Sequence, residues 1–588
     1  MLDRLKQMNK ALFVSAALVA VVAFTACGQA DSGGTVDAGG GAAAPAPAPA
    51  AGDDAPAPPA TDGHDPRAYQ PVPAGDWQTP FPEPVHIIAS GTQGVNWHFE
   101  GGDDMHNNPW IRLYADELNV HLTWDWLAID DYDTRLNMSI AAGTLPDIFH
   151  IPIGMPRTFH QLQAEGLLQD LTHAFDNYMS DRIRNFRNID PDTFEVYTID
   201  GSLYGIPRLY YGQIDQPWHL WVRKDWYEAE GSPEIRTVAD FENLARAFMN
   251  NQGASYGISV DNELEWLFRM APMFGAYIGD VHHNQYFWRP DATGRLRPGI
   301  AFPEFMTALE YWQRWFEEGI ISADFVTMAP TRAHEDVVNG LVGMQTWWQW
   351  WGWMNGPTIV GLQHNDAYFV PFNLPTEAGD RPAMGQLFFP NRDVLVAHRD
   401  FENPGAWMKV LSLVDHMIFS PDANLTQEQL GYYMHDGREH SMGPSFKIID
   451  PHADMLQMIH VQHALETGDT SELFTTGMQF KYSDSLAWLN EQTPGGLGAF
   501  LQMGFPGSAY SRSQHLFDNG WIVQNALWGM LPEEFDEAGS TGDIILEEVM
   551  QIIMGVNPVS HFESVLEQWY NLGGQIKEDA VNLHFGGR

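Results

Sequence analysis

One cysteine in 588 residues, and its position, constrains this chain more than any other feature. Cys27 follows a segment in which Arg4, Lys6 and Lys10 precede an apolar or small run, Ala11 to Ala26, broken only by Ser15 and Thr25. A basic stretch followed by a short apolar run is the plan of a secretory signal (residues 1–26). It is too short and wrongly flanked for a stable membrane span. A secreted chain with one cysteine makes no intrachain disulfide, so the body of the chain must be held by burial of its own apolar surface. The same count leaves that body no thiol for catalysis and no cysteine metal site.

The stretch Phe24-Thr25-Ala26-Cys27-Gly28 resembles the bacterial lipobox, with Phe24 where leucine is usual. The resemblance implies that Cys27 takes a diacylglycerol and becomes the mature N-terminus. The alternative is an ordinary cleaved signal with an incidental cysteine. Residues 27–80 then read as lipidated cysteine plus tether. From Asp31 to about Ala60 the chain is Gly, Ala, Pro, Asp and Ser, with an Ala-Pro alternation from Ala44 to Pro49. Such a stretch has no large apolar residues with which to build a core.

The body, residues 81–588, is long enough for more than one core. Its first part alternates. Val85 to Ala89 reads as a strand; Asn108-Pro109 opens a helix through Trp110, Ile111, Tyr114 and Leu118. Val120 to Trp124 is a second strand, and Asp130, Asp131 and Asp133 sit at the start of a helix over Tyr132 to Ala142. Gly143 to Phe149 turns into a third strand. This is the pattern of an α/β lobe with a mainly parallel sheet. The remainder is richer in helices: Thr237 to Asn250, Pro303 to Glu318, Ile545 to Met554 and His561 to Leu572.

A series of short segments then carries a likeness in a fixed order. Ala141-Ala142-Gly143-Thr144-Leu145-Pro146-Asp147-Ile148 is followed by Gly166 to Thr172. Asp200-Gly201-Ser202-Leu203-Tyr204-Gly205-Ile206-Pro207 precedes Leu220 to Trp226. Trp315 to Ile321, Asn339 to Met344, Ile553-Met554-Gly555 and Leu572 to Ile576 complete the set. In this order they resemble the extracellular solute-binding proteins, family 1, of ABC transporters, in the lipoprotein branch typical of Gram-positive bacteria. The resemblance implies an α/β fold of two lobes joined by crossover strands, periplasmic-binding-protein-like, with a hinge and a ligand cleft between the lobes. The expected boundaries are 81–208 plus 373–425 for the first lobe, and 209–372 plus 426–588 for the second. It also implies an oligosaccharide ligand, delivery to the transmembrane subunits of an importer, and a monomer held at the extracellular face of the membrane by lipid. Some relatives carry an acidic calcium loop before a Tyr-Gly-Ile strand. Here Asn250-Asn251-Gln252-Gly253-Ala254-Ser255 precedes Tyr256-Gly257-Ile258 and contains no carboxylate, so no metal is expected there. No cofactor is expected.

The candidate site rests on aromatics. Trp347, Trp348, Trp350, Trp351 and Trp353 place five indoles in seven residues, too many to face one core from a strand or a helix. In sugar-binding relatives the position after a Gly-x-x-Gly-Met strand directs rings into the cleft, which implies that one or more of Trp347, Trp348, Trp350 and Trp351 stacks on the ligand; core packing is the alternative. Trp97 lies in the loop after the first strand, where such lobes present ligand contacts. Tyr210, Tyr211, Trp218 and Trp221 follow the crossover, although Trp221 also suits a core. Arg223 suits either hydroxyl groups or an acidic partner.

Other classes fit less well. The net charge of −45, from 76 acidic and 31 basic residues, disfavours nucleic acid and anionic membrane surfaces as partners. There is no His-Glu-x-x-His and no phosphate-binding Gly-x-x-x-x-Gly-Lys. Gly495-Gly496-Leu497-Gly498 lies in the wrong context for a dinucleotide fingerprint, and His282-His283 reads as a surface pair. A secreted glycoside hydrolase and a polysaccharide-binding surface protein remain the alternatives to a non-enzymatic receptor.

Overall fold

The computed structural model describes residues 75–92, 102–128, 131–152, 154–209, 212–281, 285–353, 367–420, 423, 434–435, 438–439, 448, 450–529, 531–539 and 541–586. Cys27, the signal, the tether as far as residue 74, Trp97, Asp130, Tyr210, Tyr211 and the His282-His283 pair lie outside them.

The first lobe begins as the hydrophobic pattern dictates. Strand β1 (Val85–Thr92) buries Val85 and Ile87 and exposes His86 and Ile88, then is buried throughout from Ala89 to Gly91. Helix α1 (Pro109–Leu118) starts where the Asn108 side chain accepts the Trp110 and Ile111 amides, with Pro109 pre-set for the first turn. Strand β2 (Val120–Ala128), helix α2 (Tyr132–Ala142) and strand β3 (Ile148–Pro152) follow. β1 pairs in parallel with both β2 and β3. Asp147 braces this pairing by accepting the Ile88 amide at 2.8 Å.

After β4 (Ile206–Leu209) the chain crosses to a second sheet. Its middle strand is β5 (His219–Arg223), flanked antiparallel by β6 (Met344–Trp347) and β7 (Phe369–Phe372). The return passes through β8 (Gly385–Leu387) to β9 (Asn391–Ala397), which inserts antiparallel between β3 and β4. The first sheet is therefore ordered β2-β1-β3-β9-β4, and the second β6-β5-β7. Helix α3 (Pro404–Phe419) packs back on the first lobe. Helices α4 (Ala453–Thr467), α5 (Thr476–Glu491), α6 (Pro494–Met503) and α7 (Ala509–Asp518) follow, and strand β10 (Ile522–Gln524) pairs in parallel with β8.

The cores follow this threading. One draws on Val85 to Leu209 and on Val394 to Ile448; another on Leu220 to Ala383 and on Leu527 to Phe585. The segment 373–387, expected with the first lobe, packs with the second instead. Leu374 and Ala383 are buried in the second core, and β8 finds its hydrogen-bonding partner in β10. An isolated bridge, Thr237 to Thr376, adds a further attachment.

This topology decides which edges face each other. β1, β2, β3 and β4 run the same way, and β9 runs against them. Ser90, Trp126, Pro152, Arg208 and Asp393 therefore share the sheet edge from which the chain leaves for the second lobe. In the second sheet, β5 begins at that crossover and β6 and β7 end beside it. His219, Trp347 and Phe372 lie at the near edge and Arg223 at the far one.

Candidate functional site

On the first lobe, the near edge carries a polar and aromatic cluster. The Tyr132 ring stacks on His150 with centroids 3.7 Å apart, and Trp126 lies 5.0 Å from Tyr132. The Tyr132 hydroxyl donates to the His150 carbonyl at 2.9 Å and accepts the His150 amide at 3.2 Å. Burial pushes its pKa well above the ordinary phenol value. Arg208 and Asp393, opposite each other in the β4–β9 pairing, form a part-buried ion pair in which Asp393 is the buried member. Sequence reasoning missed Trp126, Tyr132, His150, Arg208 and Asp393. Each looks like an ordinary strand or helix residue until the strand order puts them on one edge.

On the second lobe, the tryptophans divide into two groups. Trp221 and Trp351 are fully buried, with ring centroids 5.3 Å apart, and Trp351 packs edge-on against Phe369. These two serve the core. Trp347 and Trp348 are half-buried and flank Trp218, with centroid distances of 5.8 and 5.5 Å. Trp266 packs edge-on against Trp347 at 4.9 Å, and Trp350 at 5.9 Å. Trp218, Trp347, Trp348 and Trp350 thus form one aromatic surface beside the crossover. Arg223 is not part of it. At the far end of β5, its guanidinium binds Asp225 in a bidentate pair at 2.8 and 2.9 Å and covers the Trp226 ring at 4.2 Å.

A buried polar network fixes the second half of the tryptophan segment. Asp215, in the crossover, accepts from the Gln349 amide at 2.8 Å and the Tyr510 hydroxyl at 2.7 Å. The Gln502 amide donates to Gln349 Oε1 at 2.6 Å, and Gln502 Oε1 accepts from Trp353 Nε1 at 2.6 Å and Lys481 Nζ at 2.7 Å. The Lys481 ammonium also lies 3.7 Å from the Trp353 ring centroid. Helices α5, α6 and α7 therefore hold the crossover and the tryptophan segment as one unit. Gly498 permits the approach, since a Cβ there would lie 3.1 Å from the Gly352 carbonyl oxygen.

The loop before Tyr256 forms a π-helical turn, Phe248–Gln252, in which Asn251 and Gln252 donate their amides to Glu230. The next residues, Gly253-Ala254-Ser255-Tyr256-Gly257, fit a Gly-x-Ser-x-Gly pattern that sequence reasoning missed. Ser255 follows the π turn and its amide bonds to the Leu341 carbonyl, so it does not stand on the strand-to-helix elbow that such a nucleophile needs. Beyond it, Asp261 is buried near Glu263 and Glu265. Burial, with these acids adding to it, pushes its pKa up to about 7. Leu264, two residues before Trp266, holds a left-handed conformation at φ 59°.

This fold and this edge-to-edge arrangement define a two-lobed binding protein. The family model for bacterial extracellular solute-binding proteins matches residues 106–414, and the chain belongs to that family. It is similar to Lipoprotein LipO of Bacillus subtilis, 24% identical over 225 residues, covering 37% of this chain and 42% of LipO. It is also similar to the polygalacturonan/rhamnogalacturonan-binding protein YtcQ of the same organism, 22% identical over 240 residues, covering 38% of this chain and 44% of YtcQ. The chain thus spans less than half the length of either curated relative. Among solved structures, the S. pneumoniae ABC-transporter substrate-binding protein FusA in complex with kestose aligns with a TM-score of 0.54 at 14% identity. That alignment covers 86% of this chain and all of FusA.

Proposed function

We propose that this protein captures an oligosaccharide in the cleft between its lobes and presents it to the membrane subunits of an ABC importer, without chemical change to the ligand. The observation that carries the reading is the pairing of edges. An aromatic surface of Trp218, Trp347, Trp348 and Trp350 on one lobe and a polar edge of Tyr132, His150, Arg208 and Asp393 on the other both lie at the sheet ends that the crossover joins. Sugar rings have apolar C–H faces and a polar rim, and such a cleft offers a counterpart to each. The names of YtcQ and of the FusA complex support a saccharide ligand. A lipid anchor at Cys27 and an extracellular location accord with the N-terminal sequence and with the name of LipO. Monomeric action and a permease partner complete the proposal.

The test is incubation with labelled oligosaccharides of defined linkage, followed by both calorimetry and product analysis. One ligand retained per chain and recovered intact is the expected result. Turnover would replace the receptor by a glycoside hydrolase. Binding confined to insoluble polymer would replace it by a surface adhesin.

A further inference from the structure

The residues that lead into β1 are held on the first lobe. The Asp76 amide donates to the Asn177 carbonyl at 2.8 Å, and the Phe81 amide to the Leu118 carbonyl at 3.0 Å. The Asn119 side chain donates to the Phe81 carbonyl at 3.0 Å. Gly75 approaches the end of the helix Thr172–Tyr178 so closely that a Cβ there would lie 2.0 Å from the Met179 carbonyl oxygen. The Trp77 ring packs on His416 of α3 at 5.1 Å, and Trp77 and Phe81 both border the first core. Residues 75–80, expected with the tether, are therefore bound to the lobe.

Lys409 of α3 shows how firmly. Its side chain is 3% exposed, and a buried ammonium is costly unless acceptors surround it. It donates to the Thr79 carbonyl and lies 3.6 Å from an Asp76 carboxylate oxygen, with the Phe81 and Tyr178 rings at 5.1 and 5.5 Å. Asp76 also accepts the Thr79 amide at 3.3 Å, which turns both acceptors toward the same cation. Among the described residues, every acceptor of this ammonium comes from the segment 76–79. Lifting that segment would leave a desolvated charge behind, so the two are held together by more than either's own contacts. Every partner named here lies on the first lobe. The grip ends beside a connection between the lobes: Arg182, at the start of the helix Asp181–Ile189, pairs with Asp415 of α3 and, at 3.0 Å, with Asp450, where the chain leaves the first core for α4.

We propose that residues 75–82 are a strap, locked by Lys409, that fixes the membrane tether to the first lobe beside the hinge, so that a pull on the anchor falls on the first lobe and leaves the second free to close. The proposal rests on the reading of Cys27 as the lipid anchor. Hinge motion rotates the second lobe about the connections and changes no contact of the strap.

Chymotrypsin tests the lock at one bond, Trp77–Gln78, which it can cut only while the strap is lifted. In the full-length protein this bond should be cut at least about tenfold more slowly than in a synthetic peptide of residues 72–84. Lys409→Met, which keeps the length and apolar contacts of the side chain, should speed the cut about tenfold. Asp76→Ala, made at an exposed position and compared with its own matching peptide, should speed it severalfold and serves where Lys409→Met melts early. The double variant should gain less than the product of the two effects. A wild-type bond cut as fast as the peptide overturns the strap and leaves the anchor reading standing. Wild-type rates in both variants, at unchanged melting temperature, overturn the role of Lys409. Hydrogen exchange in second-lobe core peptides should be the same in Lys409→Met as in wild type; faster exchange there overturns the one-sided grip. Absence of acyl label on Cys27 overturns the anchor reading, and the tether role falls with it whatever the cleavage rates.

Discussion

At the scale of single residues, the tryptophan segment shows how one motif divides between core and surface. Trp351 fills space against Trp221 and Phe369, so Trp351→Ala should cost about 3–5 kcal/mol of stability. Trp348→Ala should keep most of the stability and lose roughly ten- to a hundredfold in oligosaccharide affinity. Denaturant midpoints beside calorimetric titrations separate the two. Early melting of both variants would make the whole segment structural. The sequence made the excess of indoles visible but not the division among them, because strand alternation stops at Trp347 and a 3₁₀ turn over Gln349–Gly352 sets the directions of Trp350 and Trp351. His219 is a second residue whose role only packing reveals. Fully buried, with Nε2 3.2 Å from Ser513 Oγ, its imidazole is pushed down to about 3 by burial, with the Arg512 cation adding to the effect. Its contribution to stability is therefore complete above the unfolded value of 6.5 and is lost as pH falls toward 3. In that window the unfolded chain takes up a proton that the fold refuses, so stability should fall by up to about 1.4 kcal/mol per pH unit from this group alone. His219→Gln should flatten the acid limb of urea midpoints measured from pH 7 to pH 4; an unchanged slope would refute the buried neutral imidazole.

At the scale of elements, the first lobe was legible because its signals are local. Asn108 and Pro109 mark the start of α1, Gly143 ends α2, and alternating burial marks β1. The helices expected from Thr237, Pro303 and Ile545 also form, as Val238–Ala247, Pro303–Glu317 and Gly542–Ile553. The polar network was not legible, because Asp215, Gln349, Gln502 and Tyr510 are separated by up to 295 residues and belong to no motif. The same holds for the Gly495 to Gly498 run. Its use is the close approach of α6 to the tryptophan segment and to Asp484, whose carbonyl oxygen would lie 2.2 Å from a Cβ at Gly496. Shared buried networks resist apportioning by single changes. Tyr510→Phe and Gln349→Leu should each destabilise by about 1–3 kcal/mol. Combined, they should cost less than their sum, by about 0.5 kcal/mol or more, because both remove partners of one carboxylate oxygen of Asp215. Strict additivity in a double-mutant cycle would mean that the two bonds act independently.

At the scale of the whole molecule, the chain passes between the lobes three times, and hinge motion confined to these connections leaves each core intact. The first sheet takes β9 back between β3 and β4, and the second lobe keeps its attachments through β8–β10 and the Thr237 to Thr376 bridge. Closure therefore needs backbone rotation in the connecting segments, which among the described residues include 388–390 and the step from Asp450, paired with Arg182 of the first lobe, to Ala453, and not in either core. The aromatic surface and the Asp215 network move with the second lobe, and the Tyr132 to Asp393 edge with the first. A sugar that touches both edges binds the closed form better than the open one, and that differential affinity is what shifts the population. Solution scattering on the protein with a saturating oligosaccharide should give a smaller radius of gyration and a shorter maximum dimension than without it. Trp348→Ala, at sugar concentrations that saturate it, should still compact, because the first-lobe edge and Trp218 remain. Arg208→Ala leaves Asp393 without its partner and weakens the edge that the second lobe must meet. It should bind the sugar more weakly and compact less at matched occupancy. Identical scattering curves for free and saturated wild-type protein would show that binding proceeds without hinge closure.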